Sequence, residues 1–348
     1  HLQIYFKRDQ FAMGTPRLTV VHGLILLLLV ELGLTAVSDT EWDQYKAKYN
    51  KQYRNRDKYH RALYEQRVLA VESHNQLYLQ GKVAFKMGLN KFSDTDQRIL
   101  FNYRSSIPAP LETSTNALTE TVNYKRYDQI TEGIDWRQYG YISPVGDQGT
   151  ECLSCWAFST SGVLEAHMAK KYGNLVPLSP KHLVDCVPYP NNGCSGGWVS
   201  VAFNYTRDHG IATKESYPYE PVSGECLWKS DRSAGTLSGY VTLGNYDERE
   251  LAEVVYNIGP VAVSIDHLHE EFDQYSGGVL SIPACRSKRQ DLTHSVLLVG
   301  FGTHRKWGDY WIIKNSYGTD WGESGYLKLA RNANNMCGVA SLPQYPTF

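Results

Sequence analysis

Residues 148–158 read Gln-Gly-Thr-Glu-Cys-Leu-Ser-Cys-Trp-Ala-Phe, and the fold prediction starts from this stretch. Its second cysteine, Cys155, begins a predicted helix that runs to Tyr172, with Ser154 as the expected N-cap and Gly173 as the stop. Unpaired backbone amides and the helix dipole at such an N-terminus favour the thiolate form of a cysteine. The stretch therefore predicts a reactive cysteine.

A cysteine nucleophile also needs a base and a third group that holds the ring of that base. His294 stands at the start of an apolar run, residues 295–300, and Asn315 follows it further along the chain. The order Cys, His, Asn is the one expected when a histidine activates a cysteine and an asparagine orients the histidine. These three residues are the candidate catalytic group.

The whole chain is nearly neutral and rich in aromatic residues. It has 348 residues, 35 basic and 36 acidic side chains, and 12% aromatic residues. A chain of this length can bury one large core or two cores, and this composition is typical of an ordered globular protein. Because no broad basic surface is available to bind phosphates, nucleic acid is not an expected partner.

The N-terminal part indicates export from the cytoplasm. Met13 precedes a short apolar run, residues 24–34, and small residues follow that run. The run is shorter than a membrane-spanning helix requires, so residues 13–38 are predicted to be a signal peptide that is cleaved before Asp39. A buried helix is the alternative, but it would need an amphipathic spacing that the run lacks. Residues 1–12 form an upstream segment with no predicted role.

Helix signals precede strand signals along the rest of the chain. Apolar and aromatic residues at helical spacing predict two helices between Glu41 and Gln80. Residues 104–130 lack a sustained period and are predicted to be an exposed linker. Four short apolar runs predict strands, namely Val261–Ile265, Ser295–Phe301, Tyr310–Lys314 and Gly325–Leu329. A helical part followed by a strand part predicts an α+β fold whose two subdomains meet at a cleft.

Several stretches between residues 128 and 348 also match one known pattern in its order. They are Asp135-Trp136-Arg137, Ser143-Pro144-Val145, Ser154–Ser159, Leu183–Cys186, Gly193–Gly197, Ser295–Gly302 and Asn315–Gly325. On these stretches the segment resembles the papain family of cysteine peptidases, and most closely its cathepsin L-like branch. The resemblance implies an α+β fold with a helical domain, a β-barrel-like domain and an active-site cleft between them, preceded by a helical inhibitory propeptide.

The resemblance implies a role for each of five residues. Cys155 attacks the peptide carbonyl to form a thioester, His294 takes and returns the proton, and Asn315 accepts a hydrogen bond from the imidazole. Gln148 supplies the side-chain donor of the oxyanion hole, together with the backbone amide of Cys155. Trp321 matches an indole that shields the Asn-His hydrogen bond, although simple core packing would also explain this residue.

The sequence has seven cysteines, which is an odd number for an exported chain. The count alone leaves three explanations for the seventh thiol: a catalytic role, inert burial, or a bridge to another molecule. The resemblance implies the disulfides Cys152–Cys194, Cys186–Cys226 and Cys285–Cys337. Cys155 is then the unpaired cysteine.

The resemblance also implies where a substrate binds. Gly196 and Gly197 would let an extended peptide backbone approach closely, because neither has a side chain. The pocket for the second residue before the cut would be lined by Trp198, Val199, Ser264, Leu292, Ser295 and Leu342. Because none of these side chains is charged, an apolar substrate residue is expected.

Residues 39–127 are expected to be the inhibitory propeptide with its linker. Residues 88–94 contain the alternating Gly, Asn, Phe and Asp that propeptides of this family share. The longer helical motif is matched only in part, because Arg56, His60 and Arg67 stand where the family has Glu, Arg and Asn. These departures predict that this propeptide inhibits more weakly or is held differently.

The peptidase segment departs from the family pattern in three places. One residue more than usual separates Gly149 from Cys152, which predicts a shift of the loop that carries Gln148. Leu153 replaces a glycine on the floor of the primary subsite, and Tyr317 replaces a tryptophan beside the leaving group.

The sequence predicts a cysteine endopeptidase, and the alternative is a catalytically impaired papain-fold binding protein. A propeptide-type inhibitor, the third hypothesis, would leave most of the chain unexplained.

The expected partners are peptide and protein substrates and the chain's own propeptide. The protein is expected to be a monomer without a stable membrane anchor, in the lysosome or outside the cell. Neither a cofactor nor a metal is expected. The cluster His267, His269, Glu270 and Glu271 lacks the spacing of zinc peptidases and is predicted to be a solvated surface. Asn204 begins a possible N-glycosylation triplet.

Overall fold

The computed structural model describes residues 37–95, 124–244 and 246–348. The predicted upstream segment, nearly all of the predicted signal peptide and most of the predicted linker lie outside these residues. The described residues fall into two compact units that divide after Glu65. None of the described helices has the length and apolar character needed to cross a membrane.

The two helices predicted before residue 80 are confirmed. Helix α1 is Asp39–Lys48 and helix α2 is Asp57–Leu79. Ser38 caps α1, because its side chain accepts a hydrogen bond from the Glu41 amide while the Glu41 carboxylate accepts one from the Ser38 amide. The first unit packs around aromatic rings, with the centroids of Tyr45 and Tyr64 4.3 Å apart.

Helix α3, Cys155–Tyr172, has the predicted bounds and is buried on nearly all sides. It ends at Gly173, whose φ of 78° places it in the left-handed region that suits a glycine. Ser154 is the N-cap residue, as predicted, but its side chain makes no capping hydrogen bond. The Ser154 hydroxyl is instead hydrogen-bonded to the hydroxyl of Tyr219, at 2.7 Å, so it fixes a neighbouring loop.

The remaining helices of the second unit are short. They are α4 Pro180–Cys186, α5 Val199–His209, α6 Glu248–Asn257 and α7 Glu270–Asp273. Helix α6 was not predicted. It packs Leu251, Val254 and Val255 against the sheet, and Asp247 caps it by accepting a hydrogen bond from the Arg249 amide.

Nine strands of the described residues form one sheet, and all four predicted strands are confirmed with small changes of their bounds. The strands are β1 Phe85–Met87, β2 Ile134–Asp135, β3 Gly239–Thr242, β4 Val261–Ile265, β5 Tyr275–Leu280, β6 His294–His304, β7 Gly308–Lys314, β8 Tyr326–Ala330 and β9 Gln344–Thr347. Their order in the sheet is β1, β5, β8, β7, β6, β4, β9, β3, and β2 pairs with β6. Strand β6, which begins with His294, is therefore central.

The second unit has two hydrophobic cores, as the pattern of helices and strands predicted. Strand β6 contributes to both, because side chains alternate between the two faces of a strand. Val296 and Leu298 belong to the core beneath the sheet, whereas Leu297 and Val299 belong to the core around α3. The helix that carries Cys155 therefore packs directly against the strand that carries His294.

A buried polar bridge also joins helix α3 to strand β7. The Ser143 hydroxyl lies 2.5 Å from Glu165 Oε2, and Lys314 Nζ lies 3.0 Å from the same hydroxyl. Glu165 belongs to α3, and Lys314 directly precedes Asn315. Because unpaired buried charges are costly, this bridge holds the Asn315 segment at a fixed distance from the Cys155 helix.

Candidate active site

Three predicted catalytic residues lie where the two cores meet. Cys155 occupies the first position of α3, and its sulfur accepts a hydrogen bond from the Ser295 amide at 3.5 Å. His294 Nε2 lies 2.8 Å from Asn315 Oδ1. His294 and Asn315 are both buried.

The hydrogen bonds of Asn315 determine which nitrogen of His294 is basic. Asn315 Oδ1 already accepts a hydrogen bond from the Ser316 amide at 2.8 Å, so this atom is identified as the oxygen. An oxygen can only accept, and His294 Nε2 must therefore carry a hydrogen. The lone pair of a neutral His294 is then on Nδ1, which is free to take a proton.

Burial favours the neutral forms of both Cys155 and His294. It raises the pKa of the Cys155 thiol to about 11, although backbone hydrogen bonds from Ser295 and Trp156 oppose the shift. It also lowers the pKa of His294 to about 4, against the effect of its hydrogen bond to Asn315. In this structure both shifts favour a thiol and a neutral imidazole over an ion pair.

The Gln148 side chain is buried and fixed at both of its polar atoms. Its Nε2 donates to the Cys152 carbonyl at 2.9 Å, and its Oε1 accepts from the Ser316 hydroxyl at 2.6 Å. In the loop that contains the extra residue, Gly149 has a φ of 79°, and the shift of the loop stays a prediction. Gln148 thus remains next to the segment that leads into Cys155, with one amide hydrogen beyond the bond to Cys152.

Three aromatic rings pack around His294, and only Tyr317 was placed beside the site by the sequence analysis. The ring centroid of Tyr317 is 5.0 Å from that of His294, and Phe272 is 5.9 Å away in an edge-on arrangement. His267 is nearest, at 4.7 Å. The prediction that His267 is part of a solvated surface is wrong, because only 5% of it is exposed.

Trp321 lies deep in the same cluster and is fully buried. Its indole nitrogen donates to the Asp273 carbonyl at 3.1 Å, and its ring packs edge-on against Tyr317 at 5.6 Å and beside Phe272 at 5.2 Å. Trp321 therefore supports the rings that contact His294. Shielding of the Asn-His hydrogen bond, the role implied by the resemblance, remains a prediction.

The predicted pocket residues carry no charge. Asn191 holds both backbone groups of Trp198, because its Nδ2 donates to the Trp198 carbonyl and its Oδ1 accepts from the Trp198 amide. These bonds fix the end of the Gly196-Gly197 segment. The hydroxyls of Ser264 and Ser295 are 3.1 Å apart on neighbouring strands. Val199 and Leu342 are buried, whereas Leu292 and Trp198 are half-buried. Specificity for an apolar residue stays a prediction.

The structure contains the three disulfides that the resemblance implied. They are Cys152–Cys194, Cys186–Cys226 and Cys285–Cys337. Cys155 is the free cysteine. Asp266, His269 and Cys285 form a group close enough for a metal within the described residues. However, the Cys285 sulfur is bonded to Cys337 and cannot act as a thiolate ligand.

The propeptide adds a strand to the sheet beside the site. Strand β1 pairs with β5 in antiparallel register, with Phe85 opposite Gly278. A side chain at Gly278 would meet the Ala84 carbonyl at 2.4 Å, so the close approach requires glycine. Phe85 and Met87 are buried in the core beneath the sheet.

Beyond β1, the propeptide reaches the rings around His294. Asn90 Nδ2 donates to the Asp273 carbonyl at 2.8 Å, and Phe92 packs on Tyr317 with ring centroids 4.6 Å apart. Lys91 Nζ lies 2.5 Å from Asp147 Oδ1, in the loop that leads to Gln148. The propeptide thus contacts both sides of the candidate site.

Comparisons with known proteins agree with this geometry. The family model described as "Papain family cysteine protease" matches residues 130–347, and "Cathepsin propeptide inhibitor domain (I29)" matches residues 42–99. The chain belongs to the papain family of cysteine proteases. As a papain-family protease with an inhibitory propeptide, it is a zymogen.

Papain-family relatives match nearly the whole chain. The chain is 39% identical to "Cathepsin L" of Sarcophaga peregrina, over 94% of this chain and 99% of that protein. It is 40% identical to "Digestive cysteine proteinase 2" of Homarus americanus, over 92% of this chain and 98% of that protein. Among solved structures, procathepsin L 3 of the Tenebrio molitor larval midgut matches with a TM-score of 0.78 and 37% identity, covering 89% of this chain and 98% of that one.

The unusual Arg67 has a partner that explains the departure from the papain-family propeptide motif. Arg67 Nη1 forms a salt bridge with Glu270 Oε2 of helix α7, and the Arg67 side chain is only 12% exposed. The propeptide is therefore held by an ion pair at this point. Glu270 is 37% exposed, so the pair is only partly shielded from water, and breaking it costs somewhat more than breaking a fully exposed pair.

We expect the Arg67→Asn precursor to activate faster than wild type at acidic pH. Loss of the ion pair leaves Glu270 without its partner and weakens the closed form by about 1 kcal/mol, which corresponds to a several-fold increase in the activation rate. The measurement is the appearance of peptidase activity over time after acidification. Arg61→Asn is the matched control, because Arg61 lies on the same helix but pairs with Asp39 and Glu65. Equal rates for all three proteins would contradict the role of Arg67.

Proposed function

We propose that Cys155, His294, Asn315 and Gln148 carry out peptide-bond hydrolysis. His294 Nδ1 takes the thiol proton, and the sulfur attacks the carbonyl carbon to give a tetrahedral intermediate. The carbon–nitrogen bond breaks as His294 returns the proton to the leaving amine, which leaves a thioester. Water then attacks the thioester, His294 takes its proton, and the thiol is released with the new carboxylic acid.

The observation that carries this proposal is the hydrogen bond from His294 Nε2 to Asn315 Oδ1, on a strand that packs against the Cys155 helix. It fixes the tautomer that leaves Nδ1 basic. Gln148 supports the same reaction, since its Nε2 has one amide hydrogen beyond its bond to Cys152, and with the Cys155 amide it donates to the negative oxygen of the intermediate. Trp321 supports it through the rings that it holds beside His294.

We propose that the substrate binds as an extended peptide over Gly196 and Gly197. The second residue before the cut enters the uncharged pocket formed by Trp198, Val199, Ser264, Leu292, Ser295 and Leu342. Because a charged side chain would lose its hydration there without gaining a partner, Leu or Phe is preferred at this position.

We also propose that cleavage within residues 104–134 activates the enzyme. It separates the propeptide and its linker, residues 39–127, from the peptidase, residues 128–348.

The specificity is tested with fluorogenic peptides that differ only in the second residue before the cut. The precursor is activated at mildly acidic pH with a mild reductant. We expect kcat/KM for Leu or Phe to exceed that for Asp or Lys by at least about tenfold, which is the size expected for burying an unpaired charge. Ser264→Asp, which adds a carboxylate to the pocket, is expected to favour Lys.

Equal rates for all side chains would reject the pocket assignment. No turnover of any peptide would reject the enzyme and favour a binding protein with the same fold. We also propose that the protein is a monomer. We further propose that it belongs to the secretory pathway, in the lysosome or outside the cell, because its three disulfides need an oxidising compartment to form.

A further inference from the structure

His267 is a second histidine that the catalytic scheme does not use. It is the second residue after strand β4, and its ring is tilted by 35° against that of His294, with the ring centroids 4.7 Å apart. Thr293, the residue before His294, makes two contacts with His267. Its hydroxyl accepts a hydrogen bond from the His267 backbone amide at 3.2 Å and lies 2.7 Å from His267 Nδ1. The ring is therefore fixed beside the base.

We propose that His267 is a positioning residue that sets the lowest pH at which the enzyme is active. Protonation of His267 converts the ion pair between Cys155 and His294 into a thiol and a neutral imidazole. The inference rests on the proposed role of His294 as the base. In the active form His294 is positively charged and Cys155 is a thiolate. A second positive charge at 4.7 Å from His294 is unfavourable.

A proton transfer within the pair of Cys155 and His294 removes that repulsion. His294 passes its proton to the Cys155 sulfur, which leaves a neutral imidazole, a thiol and a charged His267. One nitrogen–hydrogen bond of His294 breaks and one sulfur–hydrogen bond of Cys155 forms. The product has neither a nucleophilic thiolate nor an acid to protonate the leaving amine. The two histidines therefore titrate as one coupled pair.

The other groups around His267 determine the pH at which His267 takes up its proton. Asp266, the residue before it, favours the charged form of His267, whereas His269 and His294 disfavour it. Asp266 is itself paired with Arg286 and His269, which weakens its effect. Two further neighbours of His267, Thr293 and Phe272, are uncharged. Burial and the neighbouring His294 together lower the pKa of His267, so the proton binds only in acid.

The test compares the pH dependence of kcat/KM for wild type and His267→Phe, both activated from the full precursor. Phenylalanine keeps a ring against His294 but cannot take a proton. We expect the acid limb of the variant to shift down by about one pH unit, as expected for removal of one like charge at this distance, while the alkaline limb stays in place. The rate of Cys155 alkylation by iodoacetamide, which reports the thiolate directly, should shift in the same way.

His267→Gln is a second variant in case phenylalanine disturbs the fold, since its amide can still bond to Thr293. His209→Gln, which removes an exposed histidine of helix α5, should keep the wild-type profile. Coincident acid limbs for wild type and both His267 variants would overturn the proposal. A uniform loss of activity without a shift would also overturn it, because it would show a purely structural role. An inactive wild type would instead reject the proposed function on which the inference depends.

Discussion

Cys155→Ala is expected to reduce kcat/KM by at least about four orders of magnitude, to the background rate. The substitution removes the atom that forms the thioester, and no other cysteine can replace it because the other six are paired. The precursor should still fold, since the hydrogen bonds to the Cys155 sulfur are weak ones from backbone amides, including those of Ser295 and Trp156. It should also remain unprocessed at acidic pH.

The measurement is turnover of a fluorogenic peptide after an added peptidase has removed the propeptide from both proteins. This treatment separates a loss of chemistry from a loss of self-activation. Glu151→Ala is the matched control, because Glu151 is exposed in the same loop and should retain activity within about twofold. Turnover by Cys155→Ala comparable to that of wild type would mean that another residue is the nucleophile.

Gln148→Ala should lower kcat by about two to three orders of magnitude, with little change in KM. The reason is that an oxyanion donor acts on charge that exists only in the transition state. Gln148→Glu should be at least as damaging, because a carboxylate cannot donate and repels the developing negative charge. The measurement is the steady-state kinetics of the activated enzymes on one peptide.

Tyr219→Phe is the control for Gln148. The Tyr219 hydroxyl donates to the Gln148 carbonyl at 3.0 Å and contacts the Ser154 hydroxyl, so the variant loosens the loop without touching the amide donor. We expect a loss of about threefold or less. If Gln148→Ala costs no more than Tyr219→Phe, then the residue added between Gly149 and Cys152 has displaced the donor from the reaction.

The catalytic order and the helix at Cys155 could be predicted because their signals are local. A glycine that ends α3, short apolar runs in β4 and β6, and an odd cysteine count can each be identified without a tertiary structure. The family resemblance then supplied the pairing of the cysteines. Ser154 is the N-cap as predicted, but its hydroxyl bonds to Tyr219, far away in sequence, and not to the helix.

His267 and Arg67 could not be placed from the sequence, for a common physical reason. The acidic and basic residues around position 267 suggested a hydrated loop, but those charges pair with distant residues. Arg286 pairs with Asp266, and Arg67 pairs with Glu270. Once the charges are paired, the loop can pack, and His267 becomes buried against His294. Only the tertiary fold determines such pairs.

Strand β1 makes the propeptide part of the folded core as well as a neighbour of the candidate site. Phe85, Met87 and Phe92 are buried in the same core as the sheet, so the native packing of the precursor includes them. Once they are cut away, the enzyme loses buried apolar area that had lowered the free energy of the native state. The processed peptidase is therefore expected to unfold more readily than its precursor. Activation would thus cost the fold part of its stability.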